Sequence, residues 1–168
     1  MDKLWAPWRV KYITKILKRQ RGCVFCRIFK EKKDRQNYII TRTPYSFSVL
    51  NIYPYNNGHI LILPNRHVDD LSKLTKAERD DLLDLLEDTK KLLKKVLKPV
   101  GYNIGINLGR VAGAGFPTHL HIHIVPRWFG DSNFMPVVAS TKVISQSLTT
   151  LFQKLTYAQP KRHWNLRR

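Results

Sequence analysis

His119-Leu120-His121-Ile122-His123-Ile124-Val125 is the stretch on which the reading of this chain turns. Side chains of an extended strand alternate faces with period two, so His119, His121 and His123 share one face. Leu120, Ile122 and Ile124 take the other, which predicts a core-facing side. Buried imidazoles are costly to leave unpaired, so three in register point to a site rather than to packing. The plain alternative is an exposed polar face. A single zinc held by all three fits poorly, because rings on alternate strand positions rarely converge on one ion. Just ahead lies Gly109-Arg110-Val111-Ala112-Gly113-Ala114-Gly115, a glycine-rich loop able to bring backbone N–H groups close to an anion. A glycine-rich loop alone is more often a simple turn, but its position before aligned histidines suggests phosphoryl chemistry. An imidazole can attack phosphorus and split one displacement into two. Neighbouring N–H groups and a second imidazole then stabilise the phosphoryl oxygens.

Outward from this run, the residue pattern alternates strands and helices without βαβ regularity. Residues 37–41 and 46–53 read as strands, Pro54-Tyr55-Asn56-Asn57-Gly58 as a turn, and residues 59–64 as a largely buried strand. Residues 47–63 therefore predict an antiparallel hairpin. Thr75-Lys76-Ala77-Glu78 is a capping box that opens a long helix ending before Pro99, with Leu82, Leu83, Leu86, Leu93 and Leu97 on its buried stripe. Residues 101–108 and 118–125 read as further strands. Residues 4–18 predict an arm or helix after Pro7, and residues 137–157 a terminal helix. The fold class expected is α+β with a largely antiparallel sheet. The expected organisation is one domain over 1–168, with an arm at 1–22, a core at 23–130, and a helix and basic tail at 131–168.

The composition, 43% hydrophobic and 25% charged, suits a soluble globular protein, and no run is long and apolar enough for a membrane span. The N-terminus has no apolar signal region, so the expected location is the cytoplasm. The net charge of +18 favours encounter with polyanions such as nucleoside polyphosphates, phosphate or nucleic acid. Much of the excess falls in local runs at 11–21, 31–35, 90–98 and 161–168, as solvated faces often do. Cys23 and Cys26, the only cysteines, are too close in sequence for a disulfide framework. Their spacing leaves three readings open: metal ligands, a redox pair, or small core residues. Trp5, Trp8, Trp128 and Trp164 are expected to pack rather than to read a base, and Arg110 and Arg127 to be solvated near the loop.

The run His119–Val125 resembles the motif of the histidine triad family, in which three histidines alternate with apolar residues. Gly58-His59-Ile60-Leu61-Ile62-Leu63-Pro64-Asn65-Arg66-His67, and Asn51 before it, extend the resemblance over residues 23 to about 127. Leu4-Trp5-Ala6-Pro7-Trp8-Arg9, Ala112-Gly113-Ala114-Gly115 and the run from Pro126 to Val137 are similar to a bacterial branch that includes diadenosine tetraphosphate phosphorylases.

The resemblance implies a five-stranded antiparallel sheet, usually in dimers or higher homo-oligomers, with a long packing helix and terminal helices. It implies an enzyme that cleaves dinucleoside polyphosphates through a nucleotidyl-histidine, with an adenine nucleotide and phosphate as partners and no membrane. A hydrolase of nucleoside phosphoramidates and a zinc-stabilised nucleic-acid-binding module are the alternatives. By resemblance His121 is the nucleophile, His59 the histidine that supports the nucleophile, and His123 the phosphoryl binder. Asn51 contacts the ribose, and Asn107 lies near the phosphate pocket. Many members carry Gln or Ser three or four residues before the first histidine. Here Gly115 and Phe116 stand there, so backbone N–H groups of Gly113–Gly115, or Thr118, are the expected substitutes. Zinc-bearing relatives further imply a structural zinc on Cys23, Cys26, His67 and His119.

Overall fold

In the computed structural model, residues 22–131 and 144–159 are described. The expected arm at 4–18, the flanking run 132–137, the start of the terminal helix and the basic tail lie outside them. β1 (Ile39–Arg42), β2 (Ser46–Leu50), β3 (Ile60–Pro64), β4 (Gly101–Ile106) and β5 (Ile122–Arg127) form one sheet in the order β1-β2-β3-β5-β4. Every neighbouring pair is antiparallel. The expected hairpin is its centre, in register from Ser46↔Pro64 to Leu50↔Ile60.

The sheet is covered on both faces, and strand alternation decides which residue meets which cover. Ile60, Ile62, Leu120, Ile122 and Ile124 pack against the long helix α3 (Lys76–Leu97) and α4 (Leu148–Ala158). Phe47, Val49, Leu61 and Leu63 pack on the opposite face against Phe25 of α1 (Val24–Glu31). α2 (Asp34–Asn37) is a single turn before β1. The Thr75–Glu78 capping box forms as its sequence predicts, satisfying N–H groups at the start of α3 in both directions. Acids gather in the first half of α3 and lysines in its last turns, which complements the helix dipole.

Several boundaries differ from the pattern-based expectation. The strand expected over 118–125 begins at Ile122, because the Leu120 N–H donates to the Val68 carbonyl at 2.6 Å before the ladder starts. The strand expected to reach residue 53 ends at Leu50: Asn51 Oδ1 takes the Tyr53 N–H at 2.9 Å and turns the chain. Tyr38 adopts a left-handed backbone at φ 57°, so β1 starts at Ile39 rather than at 37. β4 ends at Ile106, two residues short of expectation. On α3, Leu83 is 56% exposed and Leu85 takes its place in the stripe, as the spacing Leu82, Leu85, Leu86, Leu93 requires. The last helix starts at Leu148, capped by the Ser147 hydroxyl on the Thr150 N–H, so Ile144 precedes it.

Gly58 closes the loop before β3 at φ 77°, and a Cβ there would stand 2.6 Å from Leu97 Cδ1 and 3.1 Å from Pro126 Cγ. Backbone conformation and space both demand glycine. Gly58→Ala is expected to cost about 1–3 kcal/mol in denaturant unfolding. An unchanged midpoint would show that Leu97 and the loop give way freely.

Candidate functional site

His59 sits where the turn enters β3, and its surroundings fix its proton. Its backbone N–H donates to the Asn56 carbonyl at 3.2 Å, and its carbonyl accepts the Asn51 N–H at 2.9 Å. The Tyr55 backbone N–H donates to His59 Nδ1 at 3.1 Å, and Asn51 Nδ2 approaches the same nitrogen at 3.3 Å. An amide can only donate, so Nδ1 carries the lone pair and Nε2 the proton. His59 Nε2–H then donates to His123 Nδ1 at 2.9 Å, which leaves the second proton of this relay on His123 Nε2. Burial pushes His59 down to about 3, helped by the nearby His123 and His121, so it is neutral at pH 7. The Tyr55 ring stacks on His123 at 5.8 Å and 13°.

His121 has the complementary tautomer. Its Nδ1 lies 2.8 Å from the His119 carbonyl, which can only accept, so Nδ1 carries the proton and Nε2 the lone pair. Burial lowers its pKa, and the hydrogen bond to His119 opposes the shift. Its ring centroid lies 4.9 Å from that of His123 and 5.5 Å from that of Phe25. The residue before β5 and the second residue of β5 thus set a neutral imidazole with an available lone pair beside another with a directed N–H.

His119 belongs to a second group. Its Nε2 donates to the Pro64 carbonyl at 3.0 Å, so Nδ1 holds the lone pair. That Nδ1 lies 3.3 Å from His67 Nδ1, 3.3 Å from Cys23 Sγ and 3.5 Å from Cys26 Sγ, and Cys26 Sγ lies 3.3 Å from His67 Nδ1. All four atoms lie within 4.8 Å of one another. Bonds of about 2.05 Å to nitrogen and 2.3 Å to sulfur give tetrahedral edges of about 3.3 Å for N–N and 3.6 Å for N–S, close to these separations. Burial and the adjacent Cys23 push Cys26 up to about 11, a bias that a bound cation reverses. The loop bearing His67 is anchored by Arg66, whose Nε and Nη2 each donate to the Glu78 carboxylate at 2.8 Å. That fork, with the Thr75 N–H, draws Glu78 down to about 2.

The remaining expected residues divide. Asn51 is drawn to His59 as described. Asn107 follows Ile106, whose partner in the sheet is Ile122, and so lies beside the histidine run. Gly113 has φ 90°, and its N–H donates to the Arg110 carbonyl at 3.0 Å; the Ala114 N–H donates to Gly109 at 3.3 Å. Those donors serve the loop's own turn, so an anion taken by Gly113 requires that turn to open. Gly115 is half-buried and Thr118 exposed. Trp128 is half-buried and donates Nε1–H to the Leu97 carbonyl at 3.3 Å. Arg127 is not simply solvated: it is tied to Asp131 and Asn103. Pattern reading did not find Phe25 against two of the histidines, Tyr55 on His123, or the Pro64 carbonyl behind His119. Each is set by chain segments meeting in space, for which no local signal exists.

The HIT domain family model matches residues 32–130, and the chain belongs to that family. An AP-4-A phosphorylase of Mycobacterium tuberculosis is 36% identical over 155 residues, covering 88% of this chain and 79% of that protein. An adenosine 5'-monophosphoramidase of Schizosaccharomyces pombe is 33% identical over 106 residues, covering 63% of this chain and 74% of that one. In fold, the chain is similar to a zinc-bound histidine triad family protein from Mycobacterium smegmatis, with a TM-score of 0.65, 24% identity, and coverage of 82% and 92% of the two chains.

Proposed function

We propose that the protein is a nucleotidyl transferase or hydrolase that cleaves dinucleoside polyphosphates, diadenosine tetraphosphate foremost, by phosphate or water. The observation that carries this reading is a pair of contacts, His121 Nδ1 on the His119 carbonyl and His59 Nε2 on His123 Nδ1, which assign a lone pair to His121 Nε2 and a proton to the neighbouring His123 Nε2. His121 Nε2 attacks the α-phosphorus, and the P–O bond to the leaving ATP breaks, its electron pair leaving with that oxygen. The resulting cationic ring keeps its Nδ1–H on the His119 carbonyl, and His123 Nε2–H donates to a phosphoryl oxygen. A phosphate oxygen then attacks phosphorus, the P–N bond breaks, and ADP leaves with His121 restored. Asn51 contacts the ribose. Asn107, Gly115 and Thr118, with Gly113 once its turn opens, border the polyphosphate.

Cys23, Cys26, His67 and His119 would hold one zinc ion. Four protein ligands leave no open position, so the metal supplies rigidity and no chemistry. Two thiols kept as ligands suit a reducing compartment such as the cytoplasm. β4 ends the sheet order, and Val100 and Ile104 beside its outer edge are 62% and 45% exposed. An edge of this kind favours pairing of two chains into a homodimer. Among the described residues no helix is long and apolar enough to cross a membrane.

Product analysis tests the reaction. ATP and ADP should form from diadenosine tetraphosphate when phosphate is present, and ATP and AMP when water replaces it. Cleavage of adenosine phosphoramidate with the tetraphosphate untouched would favour the phosphoramidase reading. Tight oligonucleotide binding with no cleavage of either would favour a nucleic-acid module.

A further inference from the structure

Asp131 lies outside the histidine cluster, yet three residues from two separate segments donate to its carboxylate: Arg127 and Trp128 at the end of β5, and Asn56 in the turn before β3. Arg127 gives Nε–H to Oδ2 at 2.7 Å and Nη2–H to Oδ1 at 2.9 Å. The Trp128 N–H gives a bond of 3.0 Å, and Asn56 Nδ2 one of 2.7 Å. The Asp131 side chain is 7% exposed, whereas Arg127 is 45% exposed. A carboxylate at this depth is well matched to four donors, and no neutral group accepts all of them.

Asn56 carries this order inward. It is buried, and its Nδ2 spends its second hydrogen on the Pro126 carbonyl at 3.0 Å. Its backbone carbonyl takes the His59 N–H at 3.2 Å. The preceding residue, Tyr55, supplies the N–H that pins His59 Nδ1 and the ring that stacks on His123. Asn56 is therefore the point at which the end of β5 grips the turn that sets both histidines. Resting on the proposed reaction, we infer that Asp131 is a positioning residue: through Asn56 it holds the 54–59 turn so that His59 keeps one tautomer and His123 presents its Nε2 proton to the phosphoryl group.

The conservative variant is informative because of hydrogen-bond direction. Asp131→Asn retains shape but replaces one acceptor oxygen with an amide, which opposes Arg127 Nη2 if it takes the Oδ1 place and Arg127 Nε, the Trp128 N–H and Asn56 Nδ2 if it takes the Oδ2 place. Each ring-nitrogen environment is read by imidazole ¹H–¹⁵N NMR on the folded full-length chain without substrate. The native protein should show His59 as a single Nε2–H tautomer. Asp131→Asn and Asn56→Ala should each convert His59 and His123 to exchanging mixtures. Their kcat should fall about tenfold or more while KM moves less than about threefold, since misplaced groups act on the chemical step. If neither variant folds, Arg127→Gln removes two of the four donors from the exposed side and should give the same changes in smaller measure. A purely structural clamp would lower Tm and leave the His59 signals unaltered in the folded protein. That result, whatever happens to kcat, overturns the inference. Because the spectra need no substrate, altered tautomers in a protein that never cleaves diadenosine tetraphosphate would count against the reaction proposed above and not against the positioning role.

Discussion

His121→Asn is expected to slow turnover on the order of 10⁴-fold or more while leaving a folded protein that still binds nucleotide. The substitution is chosen for its geometry. The asparagine amide can place an N–H where Nδ1–H now meets the His119 carbonyl at 2.8 Å, so the buried acceptor keeps a donor. What it lacks is the far nitrogen, the lone pair assigned to attack on phosphorus. The His59–His123 relay and the polyphosphate border are untouched, so binding measured by calorimetry should change little. Thermal unfolding should stay near the native value. Turnover within about tenfold of native would remove His121 from the nucleophile's role, since loss of the attacking atom costs far more than that.

Cys23→Ser, or removal of metal by a chelator, is expected to produce the largest change in stability. His119 Nδ1 holds a lone pair, and His67 Nδ1 and Cys23 Sγ each lie 3.3 Å from it, with Cys26 Sγ 3.3 Å from His67 Nδ1, a set of four donor atoms that one bound cation would tie together. Structural zinc sites contribute strongly to folding free energy, and loss of several kcal/mol here corresponds to a fall of about 10 °C or more in Tm. Activity should fall as well. His119 offers its ring to the metal group and its carbonyl to His121, so slackening one loosens the other. Metal analysis should find one zinc per chain in the native protein and a reduced content in Cys23→Ser. A native protein free of metal, with Cys23→Ser melting at the native temperature, would return the cysteines to the reading of small packed thiols.

How far the sequence could be read depended on the kind of signal. A short apolar run after a turn located β3, which is buried on both faces, and period-two alternation located the side on which Leu120, Ile122 and Ile124 pack. The capping box located the start of α3 for an equally local reason. Boundaries failed where one bond outside the element decided them, as with Leu120 on Val68 and Asn51 on Tyr53. From the sequence Leu83 reads as inward-facing because several leucines in a row blur a helical stripe; only burial in the folded chain separates it from Leu82 and Leu85. In the site, the residue types were visible but their protons were not. The tautomers of His59, His121 and His119 depend on Tyr55, on the His119 carbonyl and on Pro64, partners that only the folded chain brings together. The first histidine of the run is physically the least like the others. Its ring nitrogen faces two cysteines, whereas the lone pair of His121 lies next to His123.

The nucleotidyl-histidine intermediate is open to direct measurement. Protein mixed briefly with diadenosine tetraphosphate, quenched in base to preserve a phosphoramidate, and analysed intact by mass spectrometry should carry one adenylyl group. Fragmentation should place it on His121, and the same treatment of His121→Asn should give an unmodified chain. Substrate turning over with no adduct at any mixing time, or an adduct that persists in His121→Asn, would rule out His121 as the covalent nucleophile.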